Sequence, residues 1–193
     1  IIGTRPQFIK HAMFEKACAE KIQLINVHTD QHFDEYMSQV FIDQLELSDP
    51  NYKIISKATT PVKQTSVMMN GVEEIILKEK PDNIILYGDT NTTLAGAIVA
   101  SRYQIPVVHI EAGLRSFNKK MPEEINRITT DHIAKWLFCP SNTAVRNLEK
   151  EGINKNVFMV GDVMKDLTLH TISNNFIPPA KLSDNYFFAS LHR

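Results

Sequence analysis

NIILYGDTNTTLAGAIVASRYQIPVVHIEAGLRSFNKKMPEEINR, from Asn83 to Arg127, lays out strand, turn, helix, strand, acidic turn and helix in succession. NIILY is a short apolar run rich in β-branched residues, the type that forms a strand buried on both faces. Gly88-Asp89-Thr90 breaks it, and TLAGAIVASRY follows with helical length and small side chains. VVHI is a second such strand, ended by Glu111-Ala112-Gly113. Met121-Pro122-Glu123-Glu124 opens the next helix, with proline in the first turn and acids beside the positive end of the helix dipole. Two successive parallel strands thus each deliver a carboxylate, Asp89 and Glu111, at their carboxyl ends. In an open α/β sheet that edge is where ligands bind. Glu123 begins the next helix, and Arg127, four residues on, shares its face. Taken singly, Asp89 also reads as a helix N-cap, and Glu123 and Glu124 as ordinary first-turn acids. The convergence of three acids with Arg115 and Arg127 near one sheet edge favours a site.

The flanking sequence continues the alternation. Upstream, Ile1-Ile2 reads as the tail of a strand, and Gly3-Thr4-Arg5-Pro6 turns into a helix over about residues 7–20. A strand is expected over Ile22–Thr29, a helix from Asp34, a short strand within SDPNYKI, and a long helix in TPVKQTSVMMNGVEEIILKEK with Gly71 as its weak point. Downstream, the helix after Met121 runs to about Lys135, and WLFCP is a strand closed by Pro140. Ser141 caps a helix that Gly152 stops, VFMVG is the last strand of the run, and DVMKDLTLHTI is the last helix. This pattern predicts an α/β fold with a doubly wound, Rossmann-like parallel sheet over residues 1–172. Residues 173–184, with Pro178-Pro179, read as a linker. Residues 185–193, with YFFAS, read as the first strand of a second domain absent from this chain. The abrupt beginning inside a strand, without Met, also suggests part of a longer protein.

Composition narrows the function classes. A chain of 193 residues suffices for one sizeable α/β domain. Lys and Arg number 21 against 22 Asp and Glu, so the basic excess expected for nucleic acid or an anionic membrane is missing. No apolar run reaches the roughly 20 residues of a membrane span, and no signal peptide is visible. Cys18 and Cys139 lie far apart in apolar settings, as free thiols of a reducing cytoplasm do. Neither a G-x-G-x-x-G loop nor a P-loop is present. The first turn, GTRP, suits a phosphate instead, through helix N-terminal N–H groups and the Arg5 guanidinium, although Arg5 also reads as a surface ion-pair residue. None of the seven histidines stands in an H-E-x-x-H pattern, and no metal site is expected. His109 reads as a hydrogen-bonded core residue, while His28 and His32 flank a turn at the same sheet edge.

GTRPQFIK, HTDQHFD, YGDTNTTLAGA, HIEAGLRSF, MPEEINR, FCPSNTAVRNL and VGDVMKD together resemble, over essentially the whole chain, the non-hydrolysing UDP-N-acetylglucosamine 2-epimerase family. The resemblance implies the amino-terminal half of a glycosyltransferase-B-type two-domain fold, the other half supplying much of the uridine diphosphate site. It implies inversion at sugar C2 by elimination of UDP, a 2-acetamidoglucal intermediate and re-addition, with no nicotinamide or other cofactor and no obligatory metal. Asp89, Glu111 and Glu123 match the family's active-site carboxylates. Arg127 matches an active-site arginine, Arg5 a nucleotide-binding arginine, Lys10 a lysine near the same pocket, and His192 a histidine that contacts the diphosphate or helps the leaving group. Gln7 stands where many members carry Glu, a change the loop is expected to survive. Gln31-His32-Phe33-Asp34 and Val67 replace the residues by which some members respond to a second UDP-N-acetylglucosamine, so that activation is expected to be absent. The resemblance names UDP-N-acetylglucosamine as substrate, with a sister branch acting on UDP-2,3-diacetamido-2,3-dideoxy-glucuronate and the hydrolysing epimerases as alternatives. It also implies a cytoplasmic homodimer serving cell-surface polysaccharide synthesis, with the helices from Thr60 and from Asp34 as contacts.

Overall fold

The computed structural model describes residues 1–18, 21–29, 40 and 42–174. Most of the helix expected from Asp34, most of the linker, the YFFAS strand and His192 lie outside them. The central block forms as its pattern dictates. Strand β3 (Ile84–Tyr87), helix α3 (Asn91–Arg102), β4 (Val107–Ile110), α4 (Pro122–Ile133), β5 (Trp136–Cys139), α5 (Asn142–Lys150), β6 (Val157–Met159) and α6 (Val163–Ser173) alternate without exception. The four strands make one parallel sheet in the order β3-β4-β5-β6, with Ile84 opposite Val107 and Tyr87 opposite Ile110.

Before this block come α1 (Arg5–Cys18), β1 (Val27–His28), β2 (Tyr52–Lys53) and α2 (Pro61–Glu79). β1 and β2 form a separate parallel pair. Ile1-Ile2 joins the two sheets: Ile2 bridges His28 on one side, and the Ile1 amino group donates to the Ile85 carbonyl on the other at 2.9 Å. The strand expected over Ile22–Thr29 therefore shrinks to Val27–His28. Its partners pair over few residues, Ile2 with His28 alone and Tyr52–Lys53 with Val27–His28.

Side chains on successive β3 residues point to opposite faces, so both faces need cover. Ile84 and Leu86 pack with Val72 and Ile76 of α2 and Ala97, Val99 and Ala100 of α3. Tyr87 and Ile85 face the other way, onto Phe8 and Phe14 of α1 and Ile42. Helices on both faces make the sheet doubly wound, as the alternation predicts. Leu86 is fully buried, which contributes about 2 kcal/mol. A third cluster, Ala112, Leu137, Cys139, Ala144 and Leu148, seats α5.

Helix ends shift by about two residues from expectation: α1 begins at Arg5 and α4 stops at Ile133. Thr60 caps α2, its side chain accepting from the Lys63 N–H, and Pro61 occupies the first position. Helix α2 runs unbroken through Gly71. A Cβ at Gly71 would meet Ile54 side-chain atoms at 2.8 Å, so its place is set by the close approach of the segment after β2.

Candidate active site

At the first turn, the Gln7 amide is buried and every end of it is used. Its Oε1 accepts from the N–H groups of Gly3 at 2.7 Å and Thr4 at 3.1 Å. Its Nε2 donates to the Tyr87 carbonyl at 2.8 Å and to the Thr90 and Thr93 hydroxyls at 3.0 and 3.2 Å. The partners fix which end is oxygen: two N–H groups need an acceptor and a carbonyl needs a donor. Gln7 thereby ties the Gly3-Thr4 turn to the end of β3. Arg5 opens α1 and is exposed. Lys10, farther along α1, reaches the Glu111 carboxylate as an ion pair.

Asp89 is not the cap of α3. Thr90 holds that position, with extended backbone and a side chain accepting from the Thr93 N–H. The Asp89 carboxylate instead pairs with Arg127 on α4, and its backbone carbonyl accepts from Asn126 Nδ2 at 2.9 Å. Glu111 sits at φ +72°, a left-handed conformation that costs an L-residue about 1–2 kcal/mol. Between the two acids lies Gly88 at φ +63°. A Cβ there would stand 3.3 Å from Glu111 Oε2 and 3.4 Å from Lys10 Nζ, so the bare glycine gives that ion pair room. In both pairs the side chains are partly exposed, 25% for Glu111 and 27% for Asp89, so a ligand can reach them.

Helix α4 supplies the third wall. Pro122 and Glu123 form its first turn, and Glu123 is half-buried. Arg127 shares a face with Glu123, yet its guanidinium reaches Asp89 and, at 3.4 Å, Glu124. Glu124 is no ordinary first-turn acid. It is buried, and its carboxylate accepts from the Ser116 and Phe117 N–H groups, both at 2.9 Å. Burial opposes its charge, but those N–H groups and Arg127 outweigh it and hold the carboxyl below its usual range. The fixed charge thus anchors the loop before α4. Single-residue pattern gave no signal for Glu124, Asn126 or Gln7; only the partner strand and turn reveal them.

Arg115, grouped with the site by sequence, belongs elsewhere. It donates from Nε and Nη2 to both Glu151 oxygens and from Nη1 to Asp131 Oδ2, each at 2.7 Å. Despite burial, these carboxylates raise its pKa further, so it is a permanent structural cation. His109 is buried as expected, with Nδ1 2.7 Å from Asp131 Oδ1 and Nε2 2.7 Å from the Gly88 carbonyl oxygen. His28 does not open onto the edge: it is buried edge-on to Phe8, and burial, with Lys53 beside it, pushes its pKa down to about 4. His32 and His192 lie outside the described residues. Cys18 and Cys139 are both free. Among the described residues no three His, Cys, Asp or Glu side chains gather as a metal site, and no helix is long and apolar enough to cross a membrane. A cavity of about 580 Å³ opens at the opposite, amino-terminal ends of the strands, between Leu24, Ile25, Pro81 and Asn83, away from the carboxylates.

A family model described as UDP-N-acetylglucosamine 2-epimerase matches residues 16–193. The chain belongs to that family. A UDP-2,3-diacetamido-2,3-dideoxy-D-glucuronate 2-epimerase of Pseudomonas aeruginosa is 47% identical over 199 residues, covering 100% of this chain and 56% of the relative. A UDP-N-acetylglucosamine 2-epimerase of Methanocaldococcus jannaschii is 43% identical over 203 residues, with 100% and 56% covered. The crystal structure of a Methanocaldococcus jannaschii UDP-GlcNAc 2-epimerase in complex with UDP-GlcNAc and UDP superposes with a TM-score of 0.86 at 45% identity, covering 90% of this chain and 48% of that one. The chain spans about half the length of the curated epimerases it matches. Its parallel α/β fold is that of the amino-terminal half of such an epimerase.

Proposed function

We propose that this chain is the amino-terminal half of an enzyme that interconverts UDP-N-acetylglucosamine and UDP-N-acetylmannosamine by eliminating UDP across C1–C2 and re-adding it to a 2-acetamidoglucal. One observation carries the reading: adjacent parallel strands deliver Asp89 and Glu111 to either side of Gly88, each paired with a cation. Inversion at C2 needs a base on one face of the ring and an acid on the other. Asp89, Glu111 and Glu123 are the candidates for those two positions. The leaving diphosphate needs fixed positive charge. Lys10, Arg127 and Arg5 supply it. A diphosphate competes for the cations that Asp89 and Glu111 hold, so its arrival loosens the carboxylates for proton transfer. His192 joins from a second domain that follows a linker over residues 173–184. The enzyme works as a cytoplasmic homodimer.

A second reading, the C2 epimerase of UDP-2,3-diacetamido-2,3-dideoxy-glucuronate, is favoured by the 47% identity to the Pseudomonas aeruginosa protein. It uses the same carboxylates and differs in what contacts the sugar's C3 and C6 groups. The test incubates the full-length protein with each UDP-sugar in D2O and follows C2 by NMR. Deuterium at C2 with the epimer still attached to UDP identifies the substrate. Release of free sugar would assign a hydrolysing epimerase, and no exchange with either sugar overturns the reading. With Val67 on the exposed side of α2, velocity is expected to rise hyperbolically with UDP-N-acetylglucosamine.

A further inference from the structure

We propose that His109 is a positioning residue that fixes the Gly88-Asp89 turn, with Asp131 holding the ring so that both its nitrogens donate. The inference rests on the epimerase reading above. His109 has no exposed surface, so it cannot itself exchange a proton with a sugar. Its Nδ1 faces Asp131 Oδ1 and its Nε2 faces the Gly88 carbonyl oxygen, both at 2.7 Å. Neither partner can donate: one is a carbonyl, and the other is a carboxylate held ionised, against its burial, by His109 and Arg115. Only the doubly protonated ring satisfies both contacts. The charges then alternate from Glu151 through Arg115 and Asp131 to His109, which leaves no buried charge unpaired.

What the ring holds is the peptide between the two carboxylates. Gly88 donates its N–H to the Ile110 carbonyl at 3.0 Å and gives its own carbonyl to His109. Both ends of the left-handed glycine are therefore clamped to β4. Asp89 is the next residue, and the Lys10–Glu111 pair rests against the glycine's bare face. His109 also lies two residues before Glu111, which follows the same strand, so the residue that holds the Asp89 turn is close in the chain to the second acid.

The test compares wild type, His109→Gln and Asp131→Asn in the full-length protein. A glutamine offers one donor nitrogen where the ring has two, each facing a different partner, so it does not reproduce the span from the carboxylate to the carbonyl. Expected is a folded His109→Gln variant with kcat for C2 exchange down by about 100-fold and KM within about threefold of wild type, because misplacement of the acids costs rate rather than binding. A folded variant with kcat within about threefold of wild type overturns the proposal. Should the variants fail to fold, wild-type protein labelled with 15N-histidine decides. Long-range proton–nitrogen correlation is expected to show both His109 nitrogens protonated in the folded protein, and one unprotonated nitrogen overturns it. A wild type that exchanges neither sugar sinks the epimerase reading and leaves the nitrogen spectrum to judge His109.

Discussion

Glu111→Gly separates catalytic from structural duty at the most strained residue of the site. Glu111 lies at φ +72°, and a glycine there recovers about 1–2 kcal/mol of left-handed strain. Against that stand the lost ion pair with Lys10, partly exposed and worth up to about 1 kcal/mol, and the larger unfolded-state entropy of glycine, about 0.5–1 kcal/mol. The backbone stays held, since the N–H groups of residues 111 and 112 both donate to the Phe138 carbonyl at 3.0 Å. The sum leaves stability within about 1 kcal/mol of wild type, a change in Tm of roughly 2–4 °C at most for a chain of this size. C2 exchange should fall by about 10²–10⁴-fold, the usual contribution of a positioned acid or base. Urea unfolding and solvent-deuterium incorporation measure the two on the same preparation. Glu111→Gln serves as the control, keeping the strain and an oxygen for Lys10 while removing the charge. A loss of more than about 2 kcal/mol in Glu111→Gly, or retained exchange, would refute the reasoning, because the first makes Glu111 a structural anchor and the second a bystander.

Two other perturbations test the frame. Gly113→Ala places a Cβ 2.4 Å from the Ala144 carbonyl oxygen at φ +78°, so urea unfolding should register a loss of about 2–4 kcal/mol. Acid titration tests the buried histidines: burial pushes both His11 and His28 from 6.5 to about 4. The unfolded chain takes up these protons first, so the stability they hold is complete above about pH 6.5 and drains away toward pH 4, by up to about 3 kcal/mol for each ring. Below that, Asp131 and Glu124, whose carboxyls the fold holds low, lose their contribution as they protonate. Tm measured from pH 7 to pH 4 should fall steadily, and a flat profile would contradict the burial of the two rings.

Much of this was legible in the sequence, and the limits have physical causes. Buried parallel strands announce themselves as apolar runs, so IILY, VVHI and WLFC were placed, and with them the edge that carries Asp89 and Glu111. Ladder length was not legible for Ile22–Thr29, because it depends on partners distant in sequence. Charge pairing was not legible either. Arg115 and Arg127 look alike in the chain, yet one is buried among Asp131 and Glu151 and the other meets Asp89. Asp89 and Thr90 both suit an N-cap, and only the backbone geometry gives the role to Thr90 and frees the acid. Gln7 reads as a mild variation until its bonds to Tyr87, Thr90 and Thr93, 80 or more residues away, are seen.

That amide has a mechanical consequence. Because Gln7 grips the backbone of Gly3 and Thr4 with one end and the Tyr87 carbonyl with the other, the turn that leads into Arg5 and the turn that carries Asp89 are tied through one side chain. Under the proposed phosphate role of Arg5, a pull on the first turn would be passed through Gln7 to the second. Wear at Gln7 would therefore show as slackness between nucleotide grip and proton transfer, with each part intact and the two out of step.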